Sequence, residues 1–168
     1  MTDSPISPAE YDAITDAEGI DLIWGDGGND TVHAGSGADQ VFGGDGNESL
    51  FGGLAADAVD GAAGNDVIYG GADSTGSGSG NDVIDGGAGA DVIHAGVGND
   101  RIVYDASDLT VDGGAGTDVL DMSNLATVDM ASGPAFSGIE ELGMAGGAGT
   151  QLSLSGAAFE RTGGLSSP

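Results

Sequence analysis

The sequence contains no cysteine and almost no basic side chains: Arg101 and Arg161 stand against 28 Asp and Glu in 168 residues. Without cysteine the chain has no disulfide to hold it, which suits an exported bacterial protein that folds around metal instead. Without bases it cannot neutralise its own carboxylates, and the formal net charge is −26. Such a chain repels itself, nucleic acid and anionic membrane alike. Its natural counterpart is a cation. No apolar run approaches the ~20 residues of a membrane span, so no membrane insertion is expected. Met1 to Glu10 hold neither a basic residue nor the apolar stretch of a Sec signal, so the signal of an exported protein would lie elsewhere, the C-terminus being one place for it.

Glycine is abundant, at 35 residues, and a Gly-rich chain is searched first for repeats. Cut every nine residues from Gly25, the chain reads GDGGNDTVH, AGSGADQVF, GGDGNESLF, GGLAADAVD and GAAGNDVIY. A sixth unit begins at Gly70, takes an insertion over residues 73–79 and resumes as GNDVID. GGAGADVIH, AGVGNDRIV, the degenerate YDASDLTVD and GGAGTDVLD follow, closing at Asp121. Position six is acidic in Asp30, Asp39, Glu48, Asp57, Asp66, Asp82, Asp91, Asp100 and Asp118; only the degenerate unit breaks the rule, with Leu109. Position eight is apolar throughout: Val32, Val41, Leu50, Val59, Ile68, Ile84, Ile93, Ile102, Val111 and Leu120. Composition alone also fits an acidic disordered linker. A linker has no reason to lock an acid and an aliphatic two residues apart through such an array. One unit earlier, Gly19, Asp21 and Ile23 keep the phase, and Asp12 and Ile14 keep it once more.

The apolar residue and its neighbours predict a strand of about three residues, one side chain inward and two outward. The other six residues must turn the chain, with glycine supplying positive φ and close approach of backbone to an ion. Asn29, Asn47, Asn65, Asn81 and Asn99, just before the acid, suit left-handed turn geometry. Strand, turn, strand, turn makes a coil of two repeats. Asp30, Glu48, Asp66 and Asp91 then line one edge, and Asp21, Asp39, Asp57, Asp82, Asp100 and Asp118 the other. Coils stack at roughly 4.8 Å, the strand-pairing distance. Carboxylates so close repel unless a hard cation lies between them, and carboxylate and carbonyl oxygens suit calcium better than magnesium.

These units resemble the repeats-in-toxin (RTX) family of haemolysin-type calcium-binding repeats, found in secreted bacterial proteases, lipases, cytolysins, adhesins and surface-layer proteins. The resemblance implies an all-β, right-handed parallel β-roll with an irregular β-rich C-terminal cap. It also implies Ca2+ ions, about six to eight, each between two same-side loops. The first loop would give carbonyls from positions two and four with its acid, and the second carbonyls from positions one and three with its acid. One site would join Ala62, Gly64 and Asp66 to Gly86, Ala88 and Asp91. Another would join Gly96, Gly98 and Asp100 to Gly113, Ala115 and Asp118. A third would join Gly35, Gly37 and Asp39 to Gly52, Leu54 and Asp57. A fourth would join Asp26, Gly28 and Asp30 to Gly43, Asp45 and Glu48. Asp21 would serve the first gap of the second row. Glu48 departs from the pattern, and Ala55 at position four is expected to strain the site linking Asp57 to Asp82.

Residues 1–24 thus read as an N-terminal cap and opening strand, 25–121 as the repeat roll, and 122–168 as the capping segment. His33 and His94 fall at position nine, facing outward, with no third histidine to complete a zinc site. Ser74 to Ser79 lack a base and read as loop. Trp24 is expected to cap the first coil. No catalytic residue is expected, and the chain reads as a non-enzyme: a calcium-dependent folding module of a secreted bacterial protein exported by a type I-like route. The alternatives are a piece of an extracellular adhesin, surface layer or other assembly, or the non-catalytic domain of a secreted hydrolase.

Overall fold

The computed structural model describes residues 11–15, 18–71, 80–123, 127–129, 134–144 and 151–153, and among these there is no helix. The strands are β1 (Ala13–Thr15), β2 (Leu22–Trp24), β3 (Thr31–Ser36), β4 (Gln40–Asp45), β5 (Ser49–Leu54), β6 (Ala58–Ala63), β7 (Val67–Gly71) and β8 (Val83–Asp85). They continue as β9 (Val92–Val97), β10 (Arg101–Val103), β11 (Thr110–Ala115), β12 (Val119–Asp121), β13 (Thr127–Asp129), β14 (Ala135–Ser137), β15 (Glu141–Gly143) and β16 (Gln151–Ser153). Each repeat contributes one strand, and consecutive strands go to opposite sheets. One sheet runs β1-β3-β5-β7-β9-β11-β14, and the other runs β2-β4-β6-β8-β10-β12-β15. All pairs are parallel. The result is a parallel β-solenoid of two-repeat coils; β13 and β16 pair separately.

Position eight forms the core because alternation turns one side chain per strand inward and the parallel register stacks it on its own kind. Val32, Leu50, Ile68, Ile93 and Val111 make one ladder, and Val41, Val59, Ile84, Ile102 and Leu120 the other. All ten are at most 2% exposed. A side chain so placed contributes about 1.5–3 kcal/mol by burial, and truncating Ile93 to Ala would cost about 2–5 kcal/mol.

Several expectations need correction. Many strands are six residues long, not three. The ladder continues past the apolar triplet because glycine pairs allow the loops themselves to hydrogen-bond coil to coil, as in Asp45 N–H to the Asp26 carbonyl and Ala88 N–H to that of Ala62. The asparagines do not adopt left-handed geometry, since none has positive φ. Instead Asn47 N–H donates to Asn29 Oδ1 and Asn65 N–H to Asn47 Oδ1, and Asn99 N–H donates to Asn81 Oδ1 on the other edge. Trp24 does not cap the coil. Ile23 takes the inward place, and Trp24, 45% exposed, stacks on Phe42 on the outer face. Strand alternation makes position nine an outward one.

The two units before Gly25 are in register: β1 pairs with β3 and β2 with β4. The tail does more than cover the last coil. β14 and β15 extend the two sheets by one coil, with Phe136 and Ile139 buried beside Tyr104 and Met122. The loop expected over residues 73–79 lies outside the described residues. The phase survives it: β8 pairs Ala58 with Val83 and Val59 with Ile84, and Ile84 is fully buried.

Candidate metal centre

The acids of position six sit immediately before their strands, and the sheet register stacks them in two rows on opposite edges. A relay of hydrogen bonds links each row. On the second edge, Asp21 N–H donates to Asp39 Oδ1, Asp39 to Asp57, Asp57 to Asp82, Asp82 to Asp100 and Asp100 to Asp118, at 2.8–2.9 Å. On the first, Asp12 N–H donates to Asp30 Oδ1, Glu48 to Asp66 and Asp66 to Asp91. One oxygen of each aspartate thus binds the coil before it. All nine repeat acids are buried, at most 3% exposed.

The second oxygen carries the chemistry. Oδ2 of Asp30, Asp57, Asp66, Asp91, Asp100 and Asp118, and both oxygens of Glu48, are buried with no hydrogen-bond donor. An anionic oxygen buried without a donor costs several kcal/mol, on the order of that for any unpaired buried charge. Burial accordingly drives these groups toward the proton. It pushes Glu48 up to about 8, with the neighbouring Asp66, Asp30 and Asp45 adding. It pushes Asp57 up to about 7, against the lowering hydrogen bond from Asp39 N–H. Asp82 and Asp118 rise to about 6, again by burial first. Burial also raises Asp66, Asp91 and Asp100. Arg101, the basic side chain among the described residues, pairs with Asp121 beside the outer face of the second sheet, away from the rows. Ser123 and Arg101 hold Asp121 below the usual carboxylate range.

Backbone oxygens converge on the same points. A Cβ added at Gly61 would lie 2.5 Å from Asp66 Oδ2 and 2.6 Å from the Gly86 carbonyl, so the acid of one loop and the position-one carbonyl of the next face one cradle. Gly52 does the same for Asp57 Oδ2, at 2.8 Å, and the Gly70 carbonyl, at 2.7 Å. At Gly25 the pair is Asp30 Oδ2 and the Gly43 carbonyl. Position-four carbonyls are aimed alike: those of Gly28, Gly64 and Gly98 point at the position-four glycine one coil on. Position-three carbonyls already accept hydrogen bonds, as Asp45 from Gly28 N–H, Leu54 from Gly37, Ala88 from Gly64 and Ala115 from Gly98. A carbonyl has a second lone pair to offer. The backbone keeps a positive φ where glycine is replaced: Asp26, Ala62 and Ala55 have φ of 67°, 71° and 79°. For alanine that conformation is strained.

Among the described residues no three acidic, His or Cys side chains converge to hold a metal alone. The pattern is instead two carboxylates per gap with backbone carbonyls, a hard oxygen donor set that fits calcium. His33 and His94 are separated by two rings in an outward ladder, His33–Phe51–Tyr69–His94, with centroids 4.3, 4.9 and 5.2 Å apart. That ladder was not read from the sequence, although the eighteen-residue phase of these four residues announced it.

Two acids of the rows were also missed. Glu140, opposite Asp118, accepts Asp118 N–H through Oε2 at 2.9 Å. In the degenerate unit Leu109 is 60% exposed, while Asp108, one residue earlier, is 4% exposed and joins the first edge. The repeat period assigned the place to Leu109; a local bulge overrules it.

Two seven-stranded parallel sheets, an aliphatic interior and a carboxylate row on each edge define a β-roll of calcium-binding type. The family model described as RTX calcium-binding nonapeptide repeat (4 copies) matches residues 12–41, 42–74 and 77–108, more than half of the chain. The chain belongs to that family and is a calcium-binding repeat module. Neither the curated proteins nor the solved structures gave a match.

Proposed function

We propose that calcium drives the folding of this module and that the module serves an exported protein. The supporting observation is the pair of buried carboxylate rows, in which Oδ2 of Asp30, Asp57, Asp66, Asp91, Asp100 and Asp118 has no donor. Three gaps among Asp30, Glu48, Asp66 and Asp91, and five from Asp21 to Asp118, make about six to eight ions. Each ion is held by the two acids that flank its gap. Position-two and position-four carbonyls come from one loop and position-one and position-three carbonyls from the next. These are Ala62 and Gly64 with Gly86 and Ala88, and equally Gly96 and Gly98 with Gly113 and Ala115. They are also Gly35 and Gly37 with Gly52 and Leu54, and Asp26 and Gly28 with Gly43 and Asp45. A bound divalent ion supplies charge neutralisation and cross-links neighbouring coils; it supplies no reaction, and the module works as a scaffold and not as an enzyme.

The cation binds the folded state, because only there do the loops stack, so binding free energy becomes folding free energy. In a cytosol poor in calcium the self-repelling chain stays open and can be threaded for export. At the higher calcium outside, it closes. The working location is therefore extracellular or at the cell surface. Far-UV circular dichroism tests this: EDTA should abolish the β spectrum and excess calcium restore it, with magnesium much weaker. A spectrum that chelation leaves unchanged overturns the reading.

A further inference from the structure

We propose that Asp91 and Asp108 hold a further calcium-type cation at the end of the first edge, where the nonapeptide pattern has no acid. The inference rests on the calcium reading above. Sequence period assigns the place beside Asp91 to Leu109, because β11 pairs Thr110 with Val92 and Val111 with Ile93. In the regular coils of this edge one amide meets each acid's carbonyl: Thr31 on Asp12, Ser49 on Asp30, Val67 on Glu48 and Val92 on Asp66. At the degenerate unit two do, Leu109 N–H at 2.8 Å and Thr110 N–H at 3.3 Å, both on the Asp91 carbonyl. That pinch belongs to a bulge, which re-aims side chains. Leu109 goes out to solvent, and Asp108 goes in.

The buried acid is left short of donors. Asp108 is 4% exposed and Asp91 fully buried. No donor meets Asp108 Oδ1 or Oδ2, or Asp91 Oδ2, in full hydrogen-bond geometry, although the backbone N–H and the carboxyl of Asp91 lie beside Asp108. Burial, then the charges of Asp91 and Asp105 and the contact with the Asp91 carboxyl, push Asp108 up to about 7, against the lowering influence of the Asp91 backbone N–H. Asp105 keeps its own Oδ1 on Ser107 N–H at 2.7 Å, which orders the loop. Two facing buried carboxylates, with a third beside them, need a proton or a cation. Every other gap on this edge presents the same donorless oxygens to a neighbouring acid, and calcium is the hard ion such oxygens select. A wrong-register unit has therefore kept a site by moving its acid one residue.

Native mass spectrometry of the full chain with calcium, wild type against Asp108→Asn, tests it. Asparagine keeps the shape and removes the charge. One ion fewer, with chelation still unfolding the variant, is the expected result. An unchanged ion count overturns the inference and leaves the calcium reading standing; a wild type that takes up no calcium sinks both. If the variant does not fold, a crystal structure of the wild type grown with calcium decides. Anomalous density between Asp91 and Asp108 supports the site, and a protonated Asp108 with no ion there overturns it.

Discussion

The second edge is the regular one: its acids from Asp21 to Asp118 are all aspartate, and each from Asp39 on hands an oxygen to the coil before it. The first edge carries Glu48 in mid-row and Asp108 out of register at its end. Glu48 leaves both oxygens without a donor, where an aspartate would use one on its neighbour's amide. Its carboxyl is pushed to about 8 and that of Asp108 to about 7, against about 6 for Asp82 and Asp118. Asp57, at about 7, is the second edge's exception, in the coil of Ala55. What the fold conserves is therefore a carboxylate in the row, whichever residue brings it there. The second edge is the better-formed carboxylate ladder, and the first edge holds Glu48 and Asp108, which burial drives far toward the proton when no cation is bound.

Neutralising one acid in each row should show the largest effect, with opposite sign in the two states. Asp66→Asn and Asp100→Asn keep the Oδ1 that accepts the preceding amide and lose the charge of two gaps. With saturating calcium both should melt earlier. The loss is about 3–5 kcal/mol if two sites go, each worth about 2.7 kcal/mol at a hundredfold over its Kd. In EDTA, where the wild type opens, both should keep at least as much β signal as wild type. Thermal melts with calcium and circular dichroism in EDTA read this, and a variant with less β signal than wild type in EDTA would mean that the acids are merely structural.

Acidity should separate the edges next. Glu48 near 8 and Asp108 near 7 in the fold lie far above the unfolded values of roughly 4. A raised folded pKa means that the proton favours the fold. That contribution is complete below about pH 4 and is lost as pH climbs through 7 and 8. Without calcium the fold should therefore be more stable near pH 5 than near pH 8, and Glu48→Gln should flatten the upper part of that profile. With calcium the slope reverses, because protonated carboxyls give up the ion. Far-UV circular dichroism in chelator should show β signal returning as pH falls from 8 to 5, and a signal that instead rises with pH would show the assignment to be wrong.

Restoring the pattern should give a smaller gain. Glu48→Asp returns the short acid to the first edge and should tighten calcium binding there several-fold, about 1 kcal/mol, by titration calorimetry. An unchanged affinity would show that chain length at this place is immaterial. The smallest effect belongs to the strained loops. Ala55→Gly and Ala62→Gly relieve positive φ at 79° and 71° and should each stabilise by about 0.5–1 kcal/mol in urea unfolding. Ala63→Gly, in a strand without positive φ, should instead destabilise by about 0.5–1 kcal/mol.

The sequence alone determined the roll, its two edges and its calcium chemistry. The reason is that a nine-residue period leaves one inward side chain per strand and one acid per turn, and repetition makes local pattern equal global position. Val32 to Leu120 and Asp30 to Asp118 could be read off because each sits where its period puts it. Only the tertiary structure decided the remainder. The asparagines turned out to be rungs, because a ladder needs the coil above it. Trp24 and the ring stack from His33 to His94 were fixed by what lay one coil away. Asp108 entered the first row through a bulge, since at the array's last coils burial and hydrogen bonding override counting. Glu140 and strands β14 and β15 joined the two sheets without a repeat to announce them, because a parallel edge pairs with any strand of suitable alternation, whatever its sequence spacing.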